Sequence, residues 1–380
     1  MVLADRDCDA VEAARAAARR AASRAAAQDR DGGFPADDVA DLARAGLLAA
    51  PVPRDAGGPG LGEEAGAASL AAVLRLLGSG SLALGRLYEG HVNALQLVAR
   101  HGGAAARRAL FADARAGHLF GVWNTEPAEG GLAFSREGGT LSLRGAKTFA
   151  SGAGFVTRAL VTAREAPGAP PLMLVVALEP GTRADLSEWR AHGMRASATG
   201  RVDFTGLAVP AEAILGGPDA YHGEPHFSGG AWRFAAVQLG GIEAVLDAWL
   251  AHLRGTGRGA DPHQLARLGE GALAAETARL WVDRAARAVR EETLAPERIV
   301  AYVNLARLAV EAAGLDVLQR AQRSVGLQGF LRGHPLERLS RDLATYLRQP
   351  APDRALAGAA AHILAAEVPA GDLWRGGDES

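Results

Sequence analysis

A β-rich island from Trp123 to Gly216 lies between two long stretches whose apolar residues recur at helical spacing, and this order constrains the fold most. Gly138-Gly139 separates Ala133-Phe134-Ser135 from Thr140-Leu141-Ser142-Leu143, a turn between two strand-like runs. Leu160-Val161-Thr162 and Leu172 to Ala177 read as short buried strands, and Val202-Asp203-Phe204 as another. Strands at this spacing predict a small barrel or sandwich. Within the island, Trp123-Asn124-Thr125-Glu126-Pro127, Gly145 to Gly152 and Gly193 to Gly200 set small hydroxyl residues beside glycines. Such backbone can approach a flat aromatic ligand closely.

The flanks read as helices. Between Ala10 and about Ala116 the pattern breaks at Gly32-Gly33, at Pro51 to Gly62 and at Gly102-Gly103. Pro35 stands near a helix start, with Asp37 and Asp38 suited to the positive end of its dipole. Val39, Leu42 and Leu47 share one face, as do Leu70, Val73, Leu74 and Leu77. Leu82 to Val98 is a third helix, with His91 among apolar neighbours. After Trp232, Val237, Ile242, Val245, Leu246, Trp249 and Leu253 keep a helical stripe that Gly255-Thr256-Gly257 ends. Segments from about His263 to Arg290 and Pro296 to Val325 follow, long enough to pack as a bundle and build an oligomer interface. The expected class is α+β and multidomain: helical residues 1–118, a β-barrel over 119–222 and a four-helix bundle over 223–380.

Composition narrows the function. A net charge of −2 argues against nucleic acid as the main partner, since a binder shows a basic stripe. The one cysteine, Cys8, rules out an internal disulfide and fits a reducing compartment. No apolar run reaches the roughly 18 residues of a membrane span, and Met1 to Asp9 carries three acids in place of a signal-peptide core. A cytoplasmic protein is expected.

With these residues placed, nearly the whole chain resembles the acyl-CoA dehydrogenase superfamily. The resemblance rests on Thr125-Glu126-Pro127, Lys147-x-Phe149-x-Ser151-Gly152 and Gly193-Met194-Arg195-x-Ser197-x-Thr199 in order. Phe34-Pro35, Gly57-Gly58-Pro59-Gly60, and Arg341-Asp342 after Pro335 to Leu339 extend it. It implies FAD at the seam of barrel and bundle, partly held by a neighbouring subunit of a homodimer or homotetramer. It also implies an acyl-CoA or carrier-bound acyl thioester substrate and an electron-transfer flavoprotein as redox partner. Carried over by position, Thr125 and Ser151 hydrogen-bond the isoalloxazine edge and Phe149 packs against the ring, which tunes and shields it. Arg254 resembles the arginine that meets the FAD pyrophosphate, although a cation ending a helix explains it equally. Gln264 resembles the glutamine that follows. Gly326-Leu327-Gln328-Gly329-Phe330 matches a turn that contacts the adenosine half, with Leu327 in place of a glycine.

Dehydrogenation needs a base for the α-proton, and the family's two usual positions for its glutamate hold Pro350 and Trp232, the latter just before Arg233. An FAD-dependent oxidoreductase acting on the CH-CH group of an acyl thioester remains the default expectation, and three readings of the missing base stay open. Asp353 or Glu224 reaches the site, or both are solvated loop acids. Alternatively, the chain sides with the superfamily's flavin-dependent monooxygenases, which work with a flavin reductase and need no such glutamate. His91 is then a candidate polar group near flavin C4a, or a satisfied core histidine. Thirdly, the protein binds flavin or acyl thioester without turnover. His222-Gly-Glu-Pro-His226 lacks the continuous helix of a metal-binding His pair, so no metal is expected. No Gly-x-Gly-x-x-Gly follows a strand, so no nicotinamide site is evident.

Overall fold

A computed structural model describes residues 3–63 and 66–375. Five helices come first: α1 (Leu3–Asp31), α2 (Ala36–Arg44), α3 (Ala67–Gly80), α4 (Leu82–His101) and α5 (Ala104–Arg115). Ser81 starts α4 by accepting a hydrogen bond from the Leu84 amide at 3.3 Å, a side-chain cap. Strands β1 (Phe120–Trp123), β2 (Ala133–Glu137), β3 (Thr140–Arg144), β4 (Ala146–Ala150), β5 (Arg158–Ala163) and β6 (Leu172–Ala177) follow. The short β7 (Ala184–Asp185), β8 (Gly200–Asp203), β9 (Ala208–Pro210) and β10 (Ile214–Leu215) complete the island.

The expected barrel does not close. The strands form three small sheets, ordered β1-β5-β6-β10, β2-β3-β9 and β4-β8-β7. Where the sheets meet, the isolated bridges among the described residues are the single pairs Gly131 to Ala146 and Ala133 to Arg164. Gly145, at φ 106°, turns the chain sharply between β3 and β4, so the ladder cannot run on from one sheet into the next. Within the first sheet β1 pairs parallel with β5, and the other pairs are antiparallel.

After a short α6 (His226–Gly229), three long helices pack together: α7 (Trp232–Gly255), α8 (Pro262–Ala288) and α9 (Pro296–Val325). Asp261 caps α8 by accepting from the amides of His263 and Gln264. A further α10 (Pro335–Tyr346) packs on α7, and α11 (Pro352–Ala365) lies on α9. Contrary to the sequence expectation, 226–255 holds an 18-residue stretch apolar and long enough to cross a bilayer, with mean hydropathy 1.3, but 61% of that stretch is buried inside the protein. The apolar length reflects a helix surrounded by others, since α7 packs on α3, α4, α8, α9 and α10.

Glycines let α3 and α7 touch backbone to backbone. A Cβ on Gly78 would stand 2.2 Å from Val237 O, and one on Gly240 2.0 Å from Arg75 O. Alanine favours a helix by about 1 kcal/mol over glycine, yet here it has no room. Gly240→Ala should therefore lose about 3 kcal/mol in urea unfolding, as overpacked cores do; a variant as stable as the parent would contradict this close crossing.

Candidate functional site

The site begins at an irregularity in β4. Register against β8 shifts between Lys147 and Ala150, a bulge, and Phe149 within it has φ 52°. Lys147 and Phe149 are two residues apart and would face the same way in a regular strand. The bulge re-aims one of them: Lys147 is fully buried while Phe149 is 63% exposed, edge-on to Trp189 at 6.4 Å. Holding a bulky residue at positive φ costs energy, and such strain gathers at ligand sites.

Beside Phe149 three hydroxyls converge. Ser197 Oγ donates to Met194 O at 2.7 Å and lies 2.7 Å from Thr199 Oγ1. Ser151 Oγ ends the row 3.3 Å from Thr199 Oγ1, with hydrogen-bonding capacity left for a ligand. The indole of Trp123 donates to Ser151 O at 3.0 Å. Thr148 N donates to Thr125 O at 3.0 Å, which brings exposed Thr125 alongside β4. On the other side of the loop, Phe155 stacks on Phe34 at 4.1 Å and 3°. Thr125, Phe149 and Ser151 are thus brought together, and an exposed aromatic beside clustered hydroxyls fits the face and edge of a flat heteroaromatic ring.

The residues matched to the dinucleotide half are less available. Arg254 is exposed at the end of α7. Gln264 is 2% exposed, and its amide oxygen accepts from Ser324 Oγ, which itself accepts from Trp249 Nε1 at 2.6 Å. That glutamine fastens α7, α8 and α9 together. Gly326 starts a short turn at φ 75°, in which Gly329 is buried while Leu327 and Phe330 face solvent.

None of the candidate bases stands at Ser151. Trp232 is a buried indole at the start of α7, and Pro350 is exposed, its carbonyl accepting from Arg307 at 2.6 Å. Asp353 is exposed on the first turn of α11. Glu224 is exposed and serves α6, accepting from Ser228 N at 3.0 Å and Ser228 Oγ at 2.5 Å. His91 is fully buried with both ring nitrogens committed: Nε2 donates to Leu48 O at 2.7 Å, and Nδ1 accepts from Phe120 N at 3.1 Å. The structure therefore corrects the catalytic reading of His91. It is a neutral packing residue linking α4 to β1, its pKa pushed down to about 4 by burial.

A polar chain that sequence reasoning passed over runs from the core toward solvent. Lys147 Nζ donates to Asn124 O, Glu126 Oε1 and Thr162 Oγ1, each at 3.0 Å. Burial lowers the pKa of Lys147, and Glu126 opposes that shift. Thr162 Oγ1 donates to Asn124 Oδ1 at 2.5 Å, so the Asn124 amide nitrogen faces His222 Nε2, 3.5 Å away. Nε2 then accepts, and His222 donates from Nδ1 to Asp219 Oδ1 at 2.6 Å. A carboxylate that orients a part-exposed imidazole is the arrangement of a general acid or base. Asn124 adjoins Thr125, which puts this pair next to Thr125 and β4. The His-x-x-x-His spacing drew attention to this segment, read as a loop and not a metal pair; here His222 bonds Asp219, and His226 stands at the start of α6. Among the described residues no group of three His, Cys, Asp or Glu side chains is placed to hold a metal.

Fold and site together define a flavoprotein of the acyl-CoA dehydrogenase type. Residues 9–118 match the family model of the acyl-CoA dehydrogenase N-terminal domain and 224–347 that of the C-terminal domain, and the chain belongs to this family. Among curated proteins it is similar to dibenzothiophene monooxygenase of Rhodococcus erythropolis, 24% identical over 96% of this chain and 95% of the relative. Among solved structures it is similar to FMN-bound TdsC of Paenibacillus sp. A11-2, with TM-score 0.82 and 19% identity over 96% of this chain and 100% of the other. Methanesulfinate monooxygenase MsuC of Pseudomonas fluorescens gives 0.80 and 22%, over 96% and 99%. At these identities the likeness establishes the shared fold.

Two outcomes follow. His91 takes up no proton in the folded protein until about pH 4, against 6.5 for an ordinary histidine. Its share of stability is therefore whole above pH 6.5 and falls as pH drops toward 4, by about 3 kcal/mol. In urea unfolding across that range, His91→Gln should flatten the pH dependence, and an unchanged slope would place the effect elsewhere. Separately, replacing Thr125 and Ser151 by alanine should weaken flavin retention about tenfold by equilibrium dialysis, the worth of one or two hydrogen bonds. Unchanged flavin content would show that these hydroxyls do not face the ring.

Proposed function

We propose that this protein is a flavin-dependent monooxygenase working with reduced FMN from a separate flavin reductase and with molecular oxygen. The observation that carries the reading is chemical: a buried indole and an exposed proline occupy the two positions where an acyl-thioester dehydrogenase keeps its base. Neither side chain accepts a proton. The monooxygenase names of the relatives support the same choice. A flavin reductase, in place of an electron-transfer flavoprotein, is the redox partner this chemistry requires.

FMN in place of FAD is supported by Gln264, whose amide oxygen is engaged inside the bundle, and by Leu327 where the family turn has a glycine. FMN in the TdsC structure agrees with this. Thr125, Ser151 and Phe149 would hold the ring. Bound in its reduced form, flavin supplies the two electrons with which one oxygen atom enters the substrate and the other leaves as water. Asp219 holds the Nδ1 proton and Asn124 orients the ring, so that the Nε2 lone pair of His222, held only by the 3.5 Å contact with Asn124, can accept a proton beside Thr125. A homodimer or homotetramer is part of the proposal, supported by Leu265, Leu273 and Leu280 exposed along one side of α8.

With a flavin reductase and isotopically heavy oxygen gas, the product should gain one oxygen atom from the gas, and anaerobic acyl-CoA should leave the oxidised flavin spectrum unchanged. Bleaching by acyl-CoA would return the protein to dehydrogenation. His222→Asn should lower turnover about a hundredfold with FMN affinity unaltered, and full activity in that variant would remove His222 from the mechanism.

A further inference from the structure

Helix α4 is buried along most of its length, yet Arg86, Glu89, Asn93, Gln96 and Arg100 recur on it every three or four residues and share one face. Arg86 pairs with Glu89, the Asn93 amide donates to the same carboxylate, and Arg233 Nε of α7 donates to Asn93 Oδ1. Arg233 lies over the Trp232 ring at 5.9 Å, and among the described residues no carboxylate comes within ion-pair distance of it. One carboxylate thus stands between two guanidiniums, and one of them meets only a neutral amide. A largely buried charge in that condition is costly.

The unpaired polar atoms around this stripe are donors. Tyr346 Oη and Trp232 Nε1, on residues 5% and 1% exposed, have no hydrogen-bond partner, and neither has Gln96 Nε2. Tyr346 stands in the fields of Glu89 and Arg86, and burial raises its pKa well above the phenol range, so it remains a proton donor. Burial draws Arg233 down to about 10 against the pull of Glu89, and Arg290 and Arg100 disfavour its charge further. Buried donors without acceptors, beside surplus positive charge, call for an oxyanion. The stripe also reaches the ring-edge residues, for Arg86, Gly90, Phe120, Trp123 and Ser151 line one small cavity.

We propose that the junction of α4, α7 and α10 binds the substrate through an oxyanionic group, anchored by Arg233 with Tyr346 Oη and Trp232 Nε1 as donors, and so aims the rest of the molecule at the cavity that Arg86 shares with Ser151. The inference rests on the monooxygenase reading for calling that molecule a substrate, but the site itself can be tested without flavin. The probes are 1-naphthalenesulfonate, 1-naphthoate and 1-naphthyl phosphate, with neutral 1-naphthalenemethanol as control, titrated calorimetrically into flavin-free protein. The anions should bind at least about tenfold tighter than the alcohol, and the ranking among them identifies the group preferred. Arg233→Gln should cut anion affinity about ten- to hundredfold and leave the alcohol unchanged. Tyr346→Phe, which removes only the hydroxyl, should weaken the same anions and serves if the arginine variant fails to fold. Equal binding of alcohol and anions, or anion affinity unmoved in both variants, would overturn the proposal. So would displacement of the anions by FMN, which would give this junction to the flavin phosphate. Anion binding in a protein that cannot retain FMN would leave this site standing and defeat the flavin reading instead.

Discussion

The geometry of the site depends on one junction where three parts of the chain meet. Arg341 on α10 bonds both oxygens of Asp29 on α1, at 2.7 and 3.1 Å, both of Glu337, and the carbonyl of His192 at 2.7 Å. Its neighbour Asp342 accepts from Met194 N at 2.6 Å, and the strand-side loop comes so close that a Cβ on Gly193 would lie 2.0 Å from Arg341 O. Burial raises the pKa of Asp342, and the Met194 amide and Arg338 oppose it. Met194 and Ala198 both hold positive φ, conformations that persist only where surroundings over-determine them. Met194 O then receives Ser197 Oγ, so the hydroxyl row beside Phe149 takes its position from α10 and α1. Two motifs remote in sequence, Gly193-Met194 and Arg341-Asp342, are one contact in space.

The site has two halves of opposite character. The sheet side offers hydroxyls, an aromatic and little charge, which suits the edge of a neutral ring. The helix side offers guanidiniums, an amide and one carboxylate. Arg86 borders both, in the same cavity as Ser151. A molecule spanning the halves needs a part that reacts and a part that is gripped. The division follows from the elements: a bulged strand exposes a side chain by irregularity, whereas a helix sets out a row of them by its period.

What was legible in the sequence was whatever depends on local pattern. The turn at Gly138-Gly139, the buried run Leu172 to Ala177 and the helix Pro296 to Val325 stand where periodicity and turn residues put them. Closure of a barrel depends on how sheets meet, and a strand pattern carries nothing about that. The bulge in β4 was equally hidden, because Lys147-Thr148-Phe149-Ala150 shows no alternation that foretells Phe149 turning outward. His91 and His222 show the limit for single residues. Both stand near apolar neighbours in sequence, but Phe120 and Leu48 close one imidazole off, while Asn124, 98 residues away, meets the other. Those partners come from tertiary structure alone.

The parallel pairing of β1 and β5 has a consequence for how such a site can change over time. Trp123 lies opposite Val161, so both strands leave the sheet at the same end, with Asn124 and Thr162 next in line and bonded to each other. Antiparallel strands would have sent them to opposite ends. The excursion between the two strands, with its β2-β3 hairpin, leaves beside this contact and returns at Arg158, at the opposite end of the pair, and the hairpin tip at Gly138-Gly139 has open space around it. Insertions at that tip can accumulate without altering the register of Asn124 on Thr162. The edge that carries Asn124 and Thr162 is thereby insulated from length variation in the segment that separates them.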